Sequence, residues 1–385
     1  MNRMLRWALI LFIISFMGCE ERKATIIPSV LRWRNGYGLA GEEHQAMERT
    51  KVQRVYFKLL DIGWDPANGA HPVSSVEVPS EWGDHSRTRG PWTDQVEFVP
   101  CIYITNSTFE RLDAAGTDDL AQNLLRKLRM ECPEKIHGVM LDCDWTPATK
   151  DRFFQLTVSM NDSLQVPVIA TIRLHQYADP GKTGVPPADR GMLMVYNVGR
   201  LQDRGDVNSI FDEATATPYF ANAKPYPLPL DLALPAFSWG AQFRKGRFLG
   251  ILQEEQVDEA IRRGLLHDPK DGSMQVIVED NEILPELHLG DEVRVERIMQ
   301  EQITQAAQLA KNAVNSDTVA IAFFEVGARS FLTLDTAFVN RTYGSFGTLR
   351  PAMIPNGDLF APQEELIDMP VIIAVDTAIA IPAQP

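Results

Sequence analysis

The sequence contains few cysteines and none of the spacings with which cysteine and histidine usually bind metals. Only four cysteines occur among 385 residues, and no Cys-x-x-Cys or His-x-x-x-His pair is present. Zinc and related sites rely on such spacings, so the sequence predicts no metal site. The segment Gly181-Lys-Thr183 resembles the end of a phosphate-binding loop, but Gln176 stands where the first glycine should be. We therefore expect no cofactor.

Positive charge is also scarce. The formal net charge is −14, and removal of residues 1–18, which contain Arg3 and Arg6 but no acidic residue, makes it −16. Nucleic acids and anionic membrane surfaces both select for basic patches. The charge balance therefore argues against a nucleic-acid partner and does not identify a substrate.

The N-terminal apolar run is too short to span a bilayer comfortably. Arg3 and Arg6 precede an apolar stretch over residues 7–16, which ends at Gly18 and Cys19. This pattern is typical of a bacterial lipoprotein signal over residues 1–18, in which Cys19 carries the lipid. The prediction is a lipid-anchored protein of the cell envelope, in the outer membrane because Glu20 replaces the aspartate of inner-membrane retention. Residues 19–29 would then form a tether.

Short apolar runs separated by helical patterns dominate the rest of the chain. A buried strand in a parallel sheet appears as such a run, and a helix shows a period near 3.6 residues. The eight predicted strands span residues 30–34, 52–61, 96–105, 136–145, 166–175, 190–197, 230–239 and 318–325. We expect an α/β fold, a (β/α)₈ TIM-like barrel over residues 30–330, with an insertion at about 241–295 and a C-terminal extension over 331–385.

The fourth predicted strand ends in two acidic residues. Ile136 to Leu141 is apolar or small, and Asp142-Cys-Asp-Trp145 follows. Side chains alternate along a strand, so Asp142 and Asp144 should share a face, with Cys143 on the other. Two carboxylates on one face at the end of a buried strand are costly to desolvate unless they have partners or a function.

Other predicted strands also end in polar or aromatic residues, which a barrel would bring to one mouth. Arg173, His175 and Thr171 should share a face, and Lys58 should also point inward. Asp142, Asp144 and Glu325 would then meet Lys58 and Arg173 in an ionic cluster. The remaining residues predicted to line the mouth are Trp33, Asp61, Tyr196, Asn197, Trp145 and Trp239.

Two interpretations of this cluster stay open. The acids and bases could neutralise one another and only stabilise the barrel. Alternatively, one carboxyl group could be protonated while another stays ionised, as glycoside hydrolysis requires. Six tryptophans lie at strand ends or in loops, where their rings could stack on sugars. They are Trp33, Trp64, Trp82, Trp92, Trp145 and Trp239.

Three segments resemble motifs of the family-eighteen glycoside hydrolases, the chitinase-like barrels. Asp142 and Asp144 match the last two aspartates of the family's fourth-strand motif D-G-x-D-x-D-x-E. Met194-Val-Tyr-Asn197 resembles its sixth-strand motif, and Leu234-Pro-Ala-Phe237 its seventh-strand motif. Thr146 stands where the family carries its catalytic acid, and Asn197 replaces the final aspartate of the sixth-strand motif.

A second resemblance covers nearly the whole mature chain. It is to uncharacterised bacterial lipoproteins with a TIM-like barrel, which share Asp142-Cys-Asp-Trp145, Thr171-Ile-Arg-Leu-His-Gln176 and Gly184-Val-Pro-Pro-Ala-Asp-Arg-Gly191. This resemblance implies the fold and no particular activity.

These observations lead to two functional hypotheses. In the first, the chain is an extracytoplasmic glycoside hydrolase with Asp144 and Glu325 as the catalytic pair. Asp142 would tune Asp144, Arg173 and His175 would hold substrate hydroxyls, and Tyr196 would stabilise the reacting centre. In the second, the chain is a non-catalytic glycan-binding or structural envelope lipoprotein that kept the barrel and lost the acid at Thr146.

Overall fold

A computed structural model describes most of the chain between residues 23 and 351. The described residues are 23–34, 41–76, 96–132, 135–205, 208–221, 223–266, 274–279 and 284–351. The predicted signal segment, Cys19, Trp82, Trp92 and residues 352–385 lie outside these ranges. Within the described part, no helix is both long and apolar enough to cross a membrane.

Fourteen strands are present in the described residues. They are β1 (Ala24–Arg32), β2 (Arg54–Asp65), β3 (Gly69–Ser75), β4 (Glu97–Ile104), β5 (Val139–Asp142), β6 (Val168–Ile172), β7 (Arg190–Met194), β8 (Leu230–Pro235), β9 (Trp239–Arg244), β10 (Arg247–Gln253), β11 (Met274–Val276), β12 (Glu292–Glu296), β13 (Thr318–Phe324) and β14 (Gly347–Leu349).

Eight of these strands form a closed parallel barrel in the order β1, β2, β4, β5, β6, β7, β8, β13. The ring closes because β1 pairs in parallel with both β2 and β13. The predicted (β/α)₈ barrel is confirmed. The residues Val139 to Leu141 of β5 are fully buried, as the unbroken apolar run indicated.

Helices separate most of the barrel strands. They are α1 (Gly41–Arg49), α2 (Asn106–Phe109), α3 (Ala114–Glu131), α4 (Lys150–Ser163), α5 (Leu174–Ala178), α6 (Pro180–Thr183), α7 (Glu213–Ala221), α8 (Glu254–Arg262), α9 (Gln300–Ala310), α10 (Arg329–Leu332) and α11 (Thr336–Phe346). The α3 helix illustrates why they form: Asp113 caps its first turn by accepting from the Gly116 amide, and leucines at helical spacing face the barrel.

The insertion between the seventh and eighth barrel strands is a small unit with its own sheet. Its four antiparallel strands lie in the order β10, β9, β12, β11, with α8 packed beside them. A separate apolar cluster that includes Leu252, Val257 and Val293 forms its core. The insertion was predicted over 241–295, and its sheet runs from Trp239 to Glu296.

The barrel extends beyond both predicted boundaries. β1 begins at Ala24, so residues 24–29, predicted as tether, belong to a barrel strand. At the other end, α11 and β14 pack on the barrel, although residues 331 onward were predicted as an irregular extension. The Tyr343 hydroxyl donates to the Ser29 carbonyl, and β14 pairs with the start of β1. The apolar side chains Phe338, Val339, Tyr343 and Phe346 of α11 are buried.

The amino-terminal end of the barrel, which we call the base, holds a buried polar network. Asp231 accepts two hydrogen bonds from the Arg190 guanidinium and one from the Ala320 amide. Its second oxygen also lies 3.4 Å from the Tyr56 hydroxyl. Beside it, Arg54 pairs with Glu97, which also pairs with Arg350.

Candidate functional site

The carboxyl ends of the parallel strands form the opposite end of the barrel, which we call the mouth. Asp142 is the last residue of β5 and is buried. One of its oxygens accepts from the Thr171 hydroxyl at 2.7 Å and from the Arg173 guanidinium at 2.9 Å. Arg173 and Thr171 therefore both point into the barrel, as the strand alternation predicted. Burial opposes the charge on Arg173, but Asp142 and Asp144 together raise its pKa.

Asp144 lies beside His175, although His175 is not on a strand as predicted. The strand β6 ends at Ile172, and His175 lies in the short helix α5. The chain turns there because the Gln176 side chain accepts from the Arg173 amide and caps the helix. His175 Nε2 lies 3.6 Å from an Asp144 oxygen. Burial lowers the pKa of His175 more than Asp144 raises it, so the ring is neutral at neutral pH.

Glu325 directly follows β13 across a cis peptide bond from Phe324. Its Oε1 accepts from Arg34 Nε at 2.6 Å. Burial raises the pKa of Glu325, and the opposing effect of Arg34 does not cancel that rise. A carboxyl group of this kind can hold a proton at a pH where exposed carboxyls are ionised.

Tyr196 lies near both Asp142 and Glu325. Its ring stacks on Phe324 at 5.0 Å and meets Phe237 edge-on at 5.6 Å. Burial raises the pKa of its hydroxyl. Arg173 lowers this pKa, whereas Asp142 and Glu325 raise it further. The Tyr196 hydroxyl is buried and has no hydrogen-bond partner within the described residues.

The next residue, Asn197, has a left-handed backbone with φ of 57°. Asparagine tolerates this conformation better than most residues. Its amide donates to the Ile210 carbonyl, while its side-chain oxygen is buried without a partner in the described part of the chain. Two adjacent unsatisfied polar atoms at a barrel mouth indicate that a ligand or water completes them.

The predicted ionic cluster is arranged as neighbouring pairs. Lys58 is buried, as predicted, and its ammonium lies 2.5 Å from Asp61. Asp61 lies within β2, which runs four residues further, to Asp65, than predicted. Arg173 pairs with Asp142, and Glu325 pairs with Arg34. Three of the four acidic groups therefore lie against a cation, while the fourth, Asp144, lies beside the neutral ring of His175.

The tryptophans line the mouth less than expected. Trp145 is 0% exposed, stacks on Phe153 at 4.9 Å and donates to the Thr183 carbonyl. The prediction that it lines the mouth is wrong, because the alternation that points Asp144 inward points Trp145 toward the helices.

Trp239 is also largely removed from solvent. It is 8% exposed, and its indole nitrogen donates to Glu296 at 2.9 Å. It starts the insertion sheet, and its burial argues against the predicted stacking role. Trp33 is half-buried against Phe324, and Trp64 is half-buried near the end of β2, so both residues stay partly accessible.

Thr146 closes a turn and supplies no acid. Its hydroxyl lies 3.3 Å from the Ala148 amide and from the Thr149 hydroxyl. The helix α4 begins at Lys150, after the turn that residues 147–149 form.

Sequence reasoning missed Arg34 and Glu255. Arg34 lies two residues beyond the end of β1 and at the end of the predicted strand 30–34, so the strand-end criterion could have found it. Glu255 lies at the start of α8 and accepts from Arg34 at 2.7 Å. It faces a cavity of about 780 Å³ between α8, the loop after β12 and α10. Nothing in the sequence indicated that the insertion reaches the mouth.

The prediction of no cofactor did not consider one glycine-rich segment. Residues 36–41 read Gly-Tyr-Gly-Leu-Ala-Gly, a spacing that precedes a helix in dinucleotide-binding sheets. Those sheets are open, whereas β1 here belongs to a closed barrel. Since residues 35–40 lie outside the described part, the pattern supports no assignment. Among the described residues, no group of three or more His, Cys, Asp or Glu side chains could hold a metal.

The three cysteines of the described part are not bonded to one another. Cys101 and Cys143 are buried in the barrel wall, and burial raises the pKa of both thiols. They pack as small apolar side chains.

Comparison with known proteins gives structural likeness without a family. No family model matches the chain, and no curated protein matches it in sequence. The spore cortex-lytic enzyme SleL of Bacillus megaterium is similar at a TM-score of 0.49 and 9% identity, over 86% of this chain and 76% of that one. SleL of Bacillus cereus gives 0.47 and 13%, over 85% and 76%.

A GH113 β-1,4-mannanase is similar at a TM-score of 0.42 and 10% identity, over 84% of this chain and 99% of that one. At these values none of the likenesses assigns an activity. The barrel itself is established by the closed ring of strands.

Proposed function

We propose that the mouth is a carbohydrate site and that the chain hydrolyses glycosidic bonds there. The observation that carries this proposal is the Tyr196 hydroxyl, which is buried near Asp142 and Glu325 and has no partner in the described residues. A buried polar atom of this kind needs a hydrogen-bond partner, which a polar ligand would supply. Glycoside hydrolysis uses two carboxyl groups whose different environments keep one protonated and the other ionised. Asp142, Asp144 and Tyr196 also match residues of the family-eighteen motifs that the sequence resembles.

Glu325 is the acid in this proposal. Burial raises the pKa of its carboxyl, so it can donate a proton to a leaving glycosidic oxygen. Asp144 is the partner carboxylate and acts as nucleophile or base. Arg173, which Asp142 holds in place, and His175 bind substrate hydroxyls with Asn197 and Asp61. Trp33 offers a ring face to a sugar.

The test is the release of reducing ends from a panel of oligosaccharides by the mature chain. We expect Glu325→Gln and Asp144→Asn each to lower the rate about 100-fold or more, because each removes a group that handles a proton or a charge. The control is Glu292→Gln, which breaks the ion pair between Glu292 of the insertion and Arg204 of the segment after β7. Intact glycans throughout, or full activity in both variants, would refute the assignment.

A non-catalytic glycan-binding barrel is the second candidate. Thr146 favours it, because the family acid is absent and threonine cannot protonate a glycosidic oxygen. Calorimetry separates the two functions. Binding without turnover, unchanged in Asp144→Asn and Glu325→Gln but weakened in Trp33→Ala, would support the binder. Absence of any glycan affinity would contradict both.

We further propose that Cys19 carries a lipid that anchors the chain in the cell envelope, at the outer membrane. The support is the sequence pattern of Arg3, Arg6 and the apolar run before Gly18. Labelled fatty acid should enter the wild-type chain and not Cys19→Ser, and the variant should leave the membrane fraction. Equal labelling of both chains would rule the anchor out.

A further inference from the structure

Arg34 joins three parts of the molecule. Its Nε donates to Glu325 at the end of β13, at 2.6 Å. Its Nη2 donates to Glu255 of the insertion at 2.7 Å and to the Gly327 carbonyl at 2.5 Å. One guanidinium therefore connects the insertion with the carboxyl group at the mouth.

The position of the Arg34 guanidinium depends on the absence of a side chain at Gly327. A Cβ built on Gly327 would lie 2.4 Å from Arg34 Nε and 2.5 Å from Glu43 Oε1. A real Cβ atom essentially never comes within 3.0 Å of another heavy atom, so a side chain at residue 327 would require Arg34 and Glu43 to shift. The side chain of Arg34 is 37% exposed and that of Glu255 is 57% exposed, while Glu325 is almost covered. The guanidinium thus reaches from solvent to the buried acid.

We propose that Glu255 is a positioning residue for Glu325 and acts through Arg34. The proposal rests on the proposed function, in which Glu325 is the acid. Glu255 draws part of the Arg34 charge toward the insertion, so that Glu325 faces a partly compensated cation. A fully available Arg34 would hold Glu325 ionised and unable to donate a proton.

The other charged groups around Glu325 leave this role to Arg34. Arg32 and Glu43 face it from β1 and α1 and pair with each other at 3.3 Å. Tyr196 approaches from the loop after β7 and is neutral at ordinary pH. Arg34 contacts Glu325 directly, and Glu255 is a second carboxylate on the same guanidinium.

The direct test is a carboxyl-carbon NMR titration of the mature chain with labelled glutamate, in which Glu325→Gln identifies the Glu325 signal. Glu255→Gln keeps an oxygen for Arg34 and removes only the charge. We expect the midpoint for Glu325 to fall by about half a pH unit or more, because one negative charge leaves the site. An unchanged or higher midpoint would overturn the proposal.

Gly327→Ala should shift the midpoint the opposite way, since it drives the guanidinium off Glu325. Circular dichroism verifies that this variant is folded; the Glu255 variant alters an exposed side chain and decides the proposal by itself. The matched control is Glu292→Gln, which removes another carboxylate of the insertion, one that pairs with Arg204 in the segment after β7, and should leave the midpoint unchanged. A shift in that control equal to the shift in Glu255→Gln would also overturn the role of Glu255.

The titration does not depend on turnover, so its outcome is separate from that of the proposed function. If glycans are cleaved, the limb of the pH–rate profile that reports Glu325 should move to lower pH in Glu255→Gln. A displaced NMR midpoint in a chain that cleaves no glycan would refute Glu325 as the acid and leave the coupling intact.

Discussion

The two ends of the barrel treat their buried polar groups differently. At the base, Asp231 is fully buried and its two oxygens meet Arg190, Tyr56 and the Ala320 amide. At the mouth, the Tyr196 hydroxyl and the Asn197 side-chain oxygen have no partner in the described residues. Both ends are built from ends of the same strands, so the difference lies in the side chains.

This difference assigns separate tasks to the two ends. A fully paired buried network stabilises the fold, because the loss of one member leaves another charge uncompensated. Unsatisfied groups cost stability and remain useful only where something else binds them. The base therefore supports the barrel, and the mouth is prepared for a ligand, in keeping with other barrels of this type.

The largest effect is expected when a charge is removed from the base, which tests whether the base stabilises the fold while the mouth binds a ligand. We expect Asp231→Asn to lower the free energy of unfolding by about 3 kcal/mol, because Arg190 loses its carboxylate partner. Denaturant unfolding measures this change. Glycan turnover per folded molecule should stay unchanged, and a loss of turnover equal to that of Glu325→Gln would contradict the division of tasks.

A suitable reference for that experiment is Glu259→Gln. Glu259 pairs with Arg262 and Arg263 on the exposed side of α8. Exposed pairs contribute little, so this variant should unfold like the wild type.

Two tyrosines allow a smaller and more direct comparison. Tyr56→Phe removes a hydroxyl that bonds to Arg54 and lies near Asp231, and should cost about 1 kcal/mol of unfolding free energy. Tyr196→Phe removes an unsatisfied hydroxyl and should leave stability unchanged or raise it by about 1 kcal/mol. In return, it should weaken glycan binding. Equal destabilisation by both changes would show that the ends do not differ.

The third effect is a pH dependence of stability at the mouth. Burial raises the pKa of Glu325 above 4.5, its usual value, so the folded chain holds this proton more tightly than the unfolded chain. The resulting stabilisation is complete below pH 4.5 and is lost as the pH rises through the folded pKa. The stability of the wild type relative to Glu325→Gln should therefore fall over that interval. Urea unfolding at a series of pH values measures it, and a constant difference would contradict the raised pKa.

The sequence predicted the features that depend on local pattern. The apolar run before Asp142 indicated a buried strand, and the polar ends of successive strands indicated a common mouth. Arg173 and Lys58 were expected to point inward because a charge facing the helix layer would lack solvation, and both do so.

Predictions that extended a local pattern too far were wrong. His175 follows β6 without a break in the alternating pattern, yet the Gln176 side chain caps a helix there. Trp145 was assigned to the mouth by its position in the sequence, whereas the alternation already used for Asp144 would have placed it among the helices.

Contacts between distant segments could not be predicted from the sequence. Arg34 and Glu325 lie 291 residues apart, and Arg34 and Glu255 lie 221 apart. No periodicity links such residues, because their meeting depends on the closure of the ring and on how the insertion folds back. The same holds for Tyr343, whose hydroxyl reaches Ser29 across the whole barrel sequence.

The early start of β1 has a consequence for orientation. If Cys19 carries a lipid, only residues 20–23 separate the bilayer surface from Ala24, a reach of about 18 Å at full extension. Strand β1 then climbs about 30 Å away from that point. This short linker would place the base next to the membrane. The mouth would then point away from the lipid headgroups, toward polymers in the surrounding space.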